Sequence, residues 1–131
     1  MAALILLAHG SPDPAWMAPV EEAAATLRAL AGDLDPPLVV RTAALEGWTS
    51  LDDAVAELEA AGERTITVVA YFLSPGGRHL RRDIPELCAA VRARRPEVTL
   101  NLVPGALGVT PEVQEALARA ALRLAREADG A

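Results

Sequence analysis

The sequence contains few aromatic residues, two histidines and one cysteine, and it contains no lysine. Its aromatic residues are two tryptophans, one tyrosine and one phenylalanine among 131 residues, which excludes a nucleic-acid surface built from stacked aromatic rings. The single cysteine, Cys88, excludes an intrachain disulfide and a thiolate zinc site, and it is typical of a reducing cytosol. All twelve cationic side chains are arginines, which we attribute to the coding bias of a GC-rich genome.

Long hydrophobic runs are also absent. The apolar segment from Ala2 to Ala8 follows no basic flank and is far too short to span a bilayer, so we predict neither a signal peptide nor a membrane anchor. The formal net charge of −6 makes the surface repel nucleic acid and anionic membranes. We therefore expect a cytoplasmic protein with no nucleic-acid or membrane partner.

The length and the apolar content predict one folded domain over residues 1–131. Hydrophobic residues make up 52% of the chain and charged residues 23%, a balance that excludes disorder. A chain of this length can bury a core without disulfides or a structural metal.

Apolar segments of strand length alternate four times with segments of helical period. The predicted strands are residues 3–8, 38–45, 65–73 and 98–103. Each is followed by apolar residues at helical spacing, the last such stripe being Val113, Leu117, Ala120, Ala121 and Leu124. This order predicts an α/β fold, a doubly wound three-layer sandwich with a four-stranded parallel sheet of order 2-1-3-4, as in flavodoxin-like proteins.

Helix starts are marked by polar residues and proline. Ser50 with Asp53, and Asp83 with Glu86, have the spacing of a capping residue and its partner. Thr110 precedes Pro111, which is well suited to the first helical position. These signals predict helices beginning close to residues 51, 84 and 111.

Both histidines fall just past the carboxyl end of a predicted strand. His9 follows the first strand, and His79 follows the third strand after a short loop, while Glu46 ends the second strand at the same edge. Ligands bind to such sheets at this edge, between strands one and three. A lone histidine is more often a packed or surface residue, and a glutamate after a strand is usually solvated. The convergence of all three nevertheless favours a functional site.

Two neutral imidazoles and a carboxylate form a ligand set that suits Co²⁺, Ni²⁺, Fe²⁺ or Zn²⁺. Three protein ligands leave coordination positions open for a substrate, which is typical of a catalytic metal site. The same groups can move protons near neutral pH. His9, Glu46 and His79 are therefore predicted both as metal ligands and as catalytic residues.

The loops after the first and third strands supply candidate substrate contacts. Gly76 and Gly77 allow a close backbone approach or a positive φ, although an ordinary turn explains them as well. Gly10 and Ser11 could cradle an anion. No glycine-rich nucleotide-binding motif follows a strand, so nucleotide binding is unsupported.

Other side chains near this edge permit two interpretations each. Arg78, Arg81 and Arg82 surround His79, where they could hold a polycarboxylate by charge-assisted hydrogen bonds or form a solvated helix face. Trp16 and Trp48 both fall in loops at the carboxyl edge, where they could form a wall for a flat ligand or pack a loop against a helix.

Two segments of the chain resemble a known family. Residues 4–11, Leu-Ile-Leu-Leu-Ala-His-Gly-Ser, are similar to the opening of the short-form sirohydrochlorin chelatases, the class II chelatases of cobalamin and sirohaem synthesis. Residues 72–85, Phe-Leu-Ser-Pro-Gly-Gly-Arg-His-Leu-Arg-Arg-Asp-Ile-Pro, are similar to the second signature of that family. Together with the order of strands and helices, the resemblance extends over essentially the whole chain. Pro12 and Ala70 depart from the family pattern, and neither departure removes a proposed ligand.

The resemblance implies a lyase that inserts a divalent metal into sirohydrochlorin without ATP. The metal, Co²⁺ or Fe²⁺ with Ni²⁺ as a further candidate, is then a substrate, and no cofactor is permanently bound. His9, Glu46 and His79 match positions that bind the incoming metal or take up pyrrole protons, and the short form is a homodimer. The predicted substrate contacts are Gly10, Ser11, Ser74, Gly76, Gly77, Arg78 and Arg81.

Three alternatives compete with this interpretation. A histidine phosphatase also carries His-Gly after its first strand, but its phosphate site needs an arginine directly before the histidine, where this chain has Ala8. A non-catalytic carrier of metal or tetrapyrrole would keep the same fold and ligands. A flavodoxin-like interaction domain would contain the two histidines only incidentally.

Overall fold

In a computed structural model of the chain, residues 3–74 and 76–130 are described, apart from the side chains of His79 and Leu80. Four parallel strands form one sheet of order β2-β1-β3-β4, which confirms the predicted topology. The strands are β1 (Ala3–Gly10), β2 (Val39–Glu46), β3 (Thr65–Ala70) and β4 (Thr99–Ala106), and the α-helices are α1 (Ala18–Leu30), α2 (Leu51–Ala60), α3 (Ile84–Arg94) and α4 (Pro111–Gly130).

Side chains that alternate along the strands build a separate apolar cluster on each face of the sheet. On one face, buried residues of α2 and α3 pack against Ile5, Leu7, Ile66 and Val68. On the other face, α1 packs against a smaller cluster that includes Leu6. Helices therefore cover the sheet on both sides, in the three layers that right-handed crossovers require.

The α-helices begin at all three predicted positions, but the capping bond predicted at Asp83 does not form. Ser50 caps α2, because its hydroxyl accepts a hydrogen bond from the Asp53 backbone N–H at 3.1 Å. The helix α4 begins at Pro111 as expected. The predicted cap at Asp83 is wrong, because Asp83 already has helical φ and ψ and makes no side-chain cap bond. One turn of π-helix, His79–Asp83, runs directly into α3 instead.

The third strand ends earlier than its apolar sequence predicts. Hydrogen bonding to β1 continues through Tyr71, whose N–H donates to the Leu7 carbonyl at 2.8 Å. The N–H of Phe72 then turns back to the Ala70 carbonyl at 3.0 Å, so the chain leaves the strand direction there. Apolar residues continue to Leu73 because they line a cavity rather than the sheet.

The arginines at the far end of α3 serve the fold. Arg94 and Arg95 both pair with Asp52 on α2, at 3.1 and 3.3 Å, and Arg95 also reaches Glu59. Burial alone would raise the pKa of Asp52, but hydrogen bonds from Arg95 and Arg94 outweigh it and lower that pKa. Cys88 is buried in the core, and burial raises the pKa of its thiol. No helix in the described ranges is both long and apolar enough to cross a membrane.

The last helix does not pack as its sequence predicts. The apolar stripe on α4 implies a face buried against the sheet, but no residue of this 20-residue helix is buried. Leu117 and Leu124 are 44% and 55% exposed. The α4 stripe is defined as Val113, Leu117, Ala120, Ala121 and Leu124. Val113 and Ala120 are half-buried, and the other three residues are exposed.

Candidate functional site

A cavity of about 370 Å³ lies at the carboxyl ends of β1 and β3. This is the switch point at which ligands bind in a sheet of this order. Its lining is almost entirely apolar, and His9 contributes an imidazole ring to it. The lining residues are Ala8, His9, Gly10, Trp16, Pro19, Val20, Tyr71, Phe72 and Leu73.

The ring of His9 is oriented by the backbone beside it. Nδ1 lies 2.9 Å from the carbonyl oxygen of Gly10, and because a carbonyl oxygen can only accept, Nδ1 carries the proton. The lone pair of the neutral imidazole is therefore on Nε2, the atom that can bind a metal or accept a proton. A backbone hydrogen bond of this kind fixes the tautomer and the ring plane of metal-binding histidines in general.

Trp16 is presented to this cavity by a short 3₁₀ helix, Pro14–Met17. Asp13 caps that helix by accepting a hydrogen bond from the Ala15 N–H at 3.0 Å, and Met17 anchors it in the core. The indole is nonetheless 61% exposed. An exposed tryptophan held on an anchored turn offers a flat apolar surface to a ligand.

Trp48 has a different role from Trp16, so only one of the two predicted aromatic walls is formed. Trp48 does not line the His9 cavity. Its indole N–H donates to the hydroxyl of Thr42 at 3.1 Å, and Thr42 in turn donates to the Glu21 carboxylate on α1. These bonds hold the loop after β2 against the sheet. Of the two interpretations of Trp48, a ligand wall or loop packing, the structure therefore supports loop packing.

Close backbone contacts at two glycines join the loops after β1 and β2. Gly10 has a φ of +77°, and a Cβ placed there would lie 2.0 Å from the backbone oxygen of Glu46. Gly47 has a φ of +69°, and its Cβ would lie 1.8 Å from the Ser11 oxygen. Only glycine fits such positions. The backbone beside His9 is therefore held in place by close packing between the loops after β1 and β2.

Gly108 makes a comparable contact on the other side of the cavity. Its N–H donates to the Phe72 carbonyl at 2.8 Å, and a Cβ there would lie 2.0 Å from the oxygen of Leu73. The loop after β4 thus supports the loop after β3. As a result, Phe72 and Leu73, which line the cavity, are held in place although they lie outside the strand.

Several predicted contacts follow the cavity residue Leu73 along the chain, although none of them lines the cavity. Ser74 follows Leu73 directly, and its hydroxyl accepts a hydrogen bond from the Gly76 N–H at 3.2 Å. Gly77 has a φ of +93°, which a turn into the π-helical segment requires. The side chain of His79 lies outside the described residues, so its predicted meeting with His9 stays a prediction.

Arg78 and Arg81 lie on this segment and are exposed. Arg78 lies 3.8 Å from Asp83, and its side chain is 73% exposed. Arg82 pairs with Glu86 at 3.2 Å. Such exposed ion pairs contribute little to stability. These guanidinium groups can therefore exchange a carboxylate of the protein for one of a ligand.

Glu46 ends β2 as predicted and pairs in register with Gly10. Its side chain is exposed and does not line the His9 cavity. Within the described side chains, no group of three or more His, Cys, Asp and Glu residues is placed to hold a metal. The predicted triad of His9, Glu46 and His79 accordingly stays a prediction.

Sequence reasoning missed Tyr71 and Phe72 as cavity residues, because an apolar run after a strand most simply indicates more strand. Three of the four aromatic residues in the chain line the cavity of His9. The scarcity of aromatic residues was the available signal. In a chain with so few of them, two adjacent aromatic residues at the end of a strand indicate a binding surface. Gly47 and Gly108 were also missed, because single glycines carry no spacing pattern.

The chain was compared with known families and structures. The CbiX family model matches residues 3–124. A CbiX protein from Marinobacter aquaeolei VT8, assigned to cobalamin (vitamin B12) biosynthesis, is 28% identical with a TM-score of 0.80, and the match covers 98% of each chain. SirB from Bacillus subtilis, solved with Fe³⁺, is 27% identical with a TM-score of 0.60.

The match to SirB covers 78% of this chain and 39% of the Bacillus protein, so the chain spans well under half of that relative. No curated protein matches the sequence. The family model and the CbiX structure each extend over nearly the whole chain, including β1 with His9 and the segment that contains His79. The chain therefore belongs to the CbiX family.

Proposed function

We propose that this protein is a lyase that inserts Co²⁺ or Fe²⁺ into sirohydrochlorin without ATP, in cobalamin or sirohaem biosynthesis. The observation that carries the proposal is the cavity at the switch point, where an oriented imidazole lies among three aromatic side chains. Membership of the CbiX family and the likeness to SirB, a protein solved with iron, support it.

The insertion reaction requires a metal ligand, a flat binding surface and a route for protons. Two pyrrole N–H bonds break, the metal exchanges its water ligands for bonds to the four ring nitrogens, and two protons leave the ring. In the proposed site, Nε2 of His9 replaces water on the incoming ion, since imidazole suits Co²⁺ and Fe²⁺. His79 is proposed as the second ligand. The ion is a substrate that passes to the macrocycle, and no resident cofactor is proposed.

The aromatic lining provides the flat surface. Trp16, Tyr71 and Phe72 surround the same space as His9, and a conjugated ring is best bound by offset or edge-on aromatic contacts. Such contacts place one face of the macrocycle against the protein, with His9 beside it. A metal held on Nε2 of His9 would then approach the pyrrole nitrogens without leaving the cavity.

The carboxylates of the macrocycle have candidate partners at the rim. Gly10 lines the cavity and Ser11 is the next residue of the chain, while Ser74, Gly76, Gly77, Arg78 and Arg81 come soon after Leu73 of the opposite wall. The protein carries a net charge of −6, so an anionic substrate needs a local basic patch. Exposed arginines that are only weakly paired can supply it by charge-assisted hydrogen bonds.

The proposal is tested by mixing the purified protein with sirohydrochlorin and Co²⁺ or Fe²⁺ and following the absorption spectrum. An initial rate above that of the uncatalysed reaction, proportional to protein concentration, is the expected result. Tight binding of the tetrapyrrole with an unchanged rate would identify a carrier instead. Repeating the assay with Ni²⁺ shows which metal the site prefers, because affinity alone rises from Fe²⁺ through Co²⁺ to Ni²⁺.

Trp16→Ala is expected to weaken sirohydrochlorin binding by about tenfold, since an aromatic contact contributes roughly 0.5–1.5 kcal/mol beyond area burial. Trp48→Phe is the matched control, because Trp48 lies outside the cavity. Intrinsic fluorescence, followed during titration with sirohydrochlorin, measures the affinity of both variants. The Trp48→Phe protein, in which Trp16 is the remaining tryptophan, should be strongly quenched on titration with the tetrapyrrole. Equal quenching of the Trp16→Phe protein would contradict the assignment.

Glu46→Gln is expected to reduce the insertion rate on the order of 10²-fold, the lower end of the effect of a general base. We assign Glu46 to proton removal because its carboxylate is exposed at the sheet edge, where it can pass protons to water. In the Glu46→Gln protein, the Co²⁺ affinity, measured by calorimetry, should fall much less than the insertion rate. An affinity that falls as far as the rate would make Glu46 a metal ligand.

A further inference from the structure

We propose that Gln114, on the first turn of α4, is a positioning residue for one wall of the His9 cavity. Its side-chain amide holds Gly108, and Gly108 in turn holds Phe72 and Leu73, which line the cavity. The inference rests on the proposed function, because it concerns how the same cavity binds sirohydrochlorin. It gives a role to the start of α4, a helix in which no residue is buried.

The wall formed by Phe72 and Leu73 lies beyond the end of β3, so the sheet does not hold it. The Phe72 N–H donates back to the Ala70 carbonyl, and the Phe72 carbonyl accepts a hydrogen bond from Gly108 at 2.8 Å. Leu73 is 69% exposed, so packing of its side chain fixes its position little. Both wall residues also line a neighbouring depression of about 220 Å³. A wall that adjoins two open spaces depends on the support of its backbone.

Gly108 supports the wall through a contact between main-chain atoms. A Cβ placed on Gly108 would lie 2.0 Å from the oxygen, 2.3 Å from the Cα and 2.4 Å from the carbonyl carbon of Leu73. Neither partner can turn aside as a flexible side chain would, because both are backbone. A shift of Gly108 therefore moves Leu73 with it, and the hydrogen bond to the Phe72 carbonyl transmits the same shift to Phe72.

The end of β4 brings Gly108 to this position. Val68 of β3 faces Leu102 of β4, whereas Ala70 faces Ala106, so the register between the two strands shifts here. The residues of β4 between these pairs form a bulge, which redirects the strand that contains it. A 3₁₀ helix of three residues follows at once, with Gly108 at its centre.

Gln114 supports Gly108 from the side opposite Phe72. The backbone N–H of Gln114 donates to the Thr110 carbonyl at 3.0 Å and closes the first turn of α4. Its side-chain amide reaches back and donates to the Gly108 carbonyl. The last carbonyls of a helix lack partners within that helix, and Gln114 supplies one here. Gly108 is thus held on both sides, through its N–H by Phe72 and through its carbonyl by Gln114.

A glutamine on the exposed side of a helix is usually only solvated. Two observations distinguish Gln114. Its amide is bonded to the carbonyl of a buried residue, Gly108. The residue before it, Val113, lines the neighbouring depression together with Phe72 and Leu73. The first turn of α4 therefore lies against the wall that Gln114 supports.

The expected consequence of losing this bond is a lower affinity for the tetrapyrrole. Without it, the wall spends part of its time away from the position that the macrocycle needs, and the apparent affinity falls accordingly. The fall cannot exceed the contribution of one hydrogen bond, which limits it to about tenfold. The ring of His9 is oriented by the Gly10 carbonyl at the end of β1. Metal binding and the chemical step should therefore be unchanged.

Gln114→Met tests the inference, because methionine is nearly as long as glutamine and has no hydrogen-bond donor. The KM for sirohydrochlorin, and its Kd from fluorescence titration, should rise about threefold to tenfold. The kcat and the affinity for Co²⁺ should stay unchanged, as expected for a loss of uniform binding. Ala116→Met is the matched control, since it adds the same side chain at another exposed position of α4. Gln114→Ala, which also removes the donor, should act like Gln114→Met.

Amide exchange separates positioning of the wall from a general loosening of the chain. In the Gln114→Met protein, NMR should show faster exchange of the Gly108 N–H, while the urea midpoint stays unchanged because Gln114 is exposed. An unchanged Kd for sirohydrochlorin, an equal effect of Ala116→Met, or a parallel loss of kcat would each overturn the inference. The Kd is measured without turnover. A wild-type chain that binds sirohydrochlorin but inserts no metal would therefore overturn the proposed function, and the Kd of Gln114→Met would still decide this inference.

Discussion

His9→Ala and His79→Ala are each expected to lower the metal insertion rate by about 10²–10⁴-fold, the range in which a positioned acid–base or ligand group contributes. His9 is the last residue but one of β1 and is only half-buried, and His79 lies in the π-helical turn beyond β3, outside the strands, so we expect little loss of core packing. The free energy of unfolding should therefore change by less than about 1 kcal/mol. Initial rates with sirohydrochlorin and Co²⁺, together with urea unfolding, measure the two effects.

Added imidazole provides a control for His9, because its side chain lines a cavity that a small molecule can enter. The rate of the His9→Ala protein should recover in part as imidazole is added, whereas the wild-type rate should not rise. A loss of stability as large as that of a core truncation, about 2–5 kcal/mol, would contradict the placement of these residues at the sheet edge. An insertion rate unaffected by both substitutions would overturn the proposed function.

The layered architecture could be predicted because each strand must bury both faces and each helix one. Continuous apolar runs such as residues 3–8 are compatible with a parallel strand covered on two sides, and four alternations leave few topologies once right-handed crossovers are required. The observed order β2-β1-β3-β4 confirms this inference. The position of His9 at the switch point follows from the same argument, since a residue at the carboxyl end of β1 must lie there.

The predictions that failed depend on interactions that periodicity does not encode. Asp83 has the spacing of a helix cap, but the preceding residues already form a helical turn, so the cap is not needed. Tyr71 and Phe72 continue an apolar run, and only hydrogen bonds to Leu7 and Ala70 show where the strand ends. The α4 stripe predicts a buried face, whereas the structure leaves every residue of α4 at least partly exposed.

Gly10→Ala is expected to cost about 2–5 kcal/mol of unfolding free energy, a large effect for a single methyl group. A φ of +77° costs a non-glycine residue about 1–2 kcal/mol. A Cβ would also lie 2.0 Å from the Glu46 oxygen and 2.7 Å from the Cβ of Ala44, and separating β1 from β2 to relieve this overlap costs about 1–3 kcal/mol more. Urea unfolding measures the sum.

Two other glycines separate these contributions. Gly62, at the end of α2, has a φ of +94°, and a Cβ there would have no atom within 4 Å, so Gly62→Ala should cost only about 1–2 kcal/mol from the backbone. Gly108→Ala should show the cost of steric overlap alone. Its φ lies outside the left-handed range, while its Cβ would lie 2.0 Å from the Leu73 oxygen. If Gly10→Ala costs no more than Gly62→Ala, then β1 and β2 do not approach each other as closely beside His9 as the structure has them. The orientation of the imidazole, which depends on the Gly10 carbonyl, would then need another explanation.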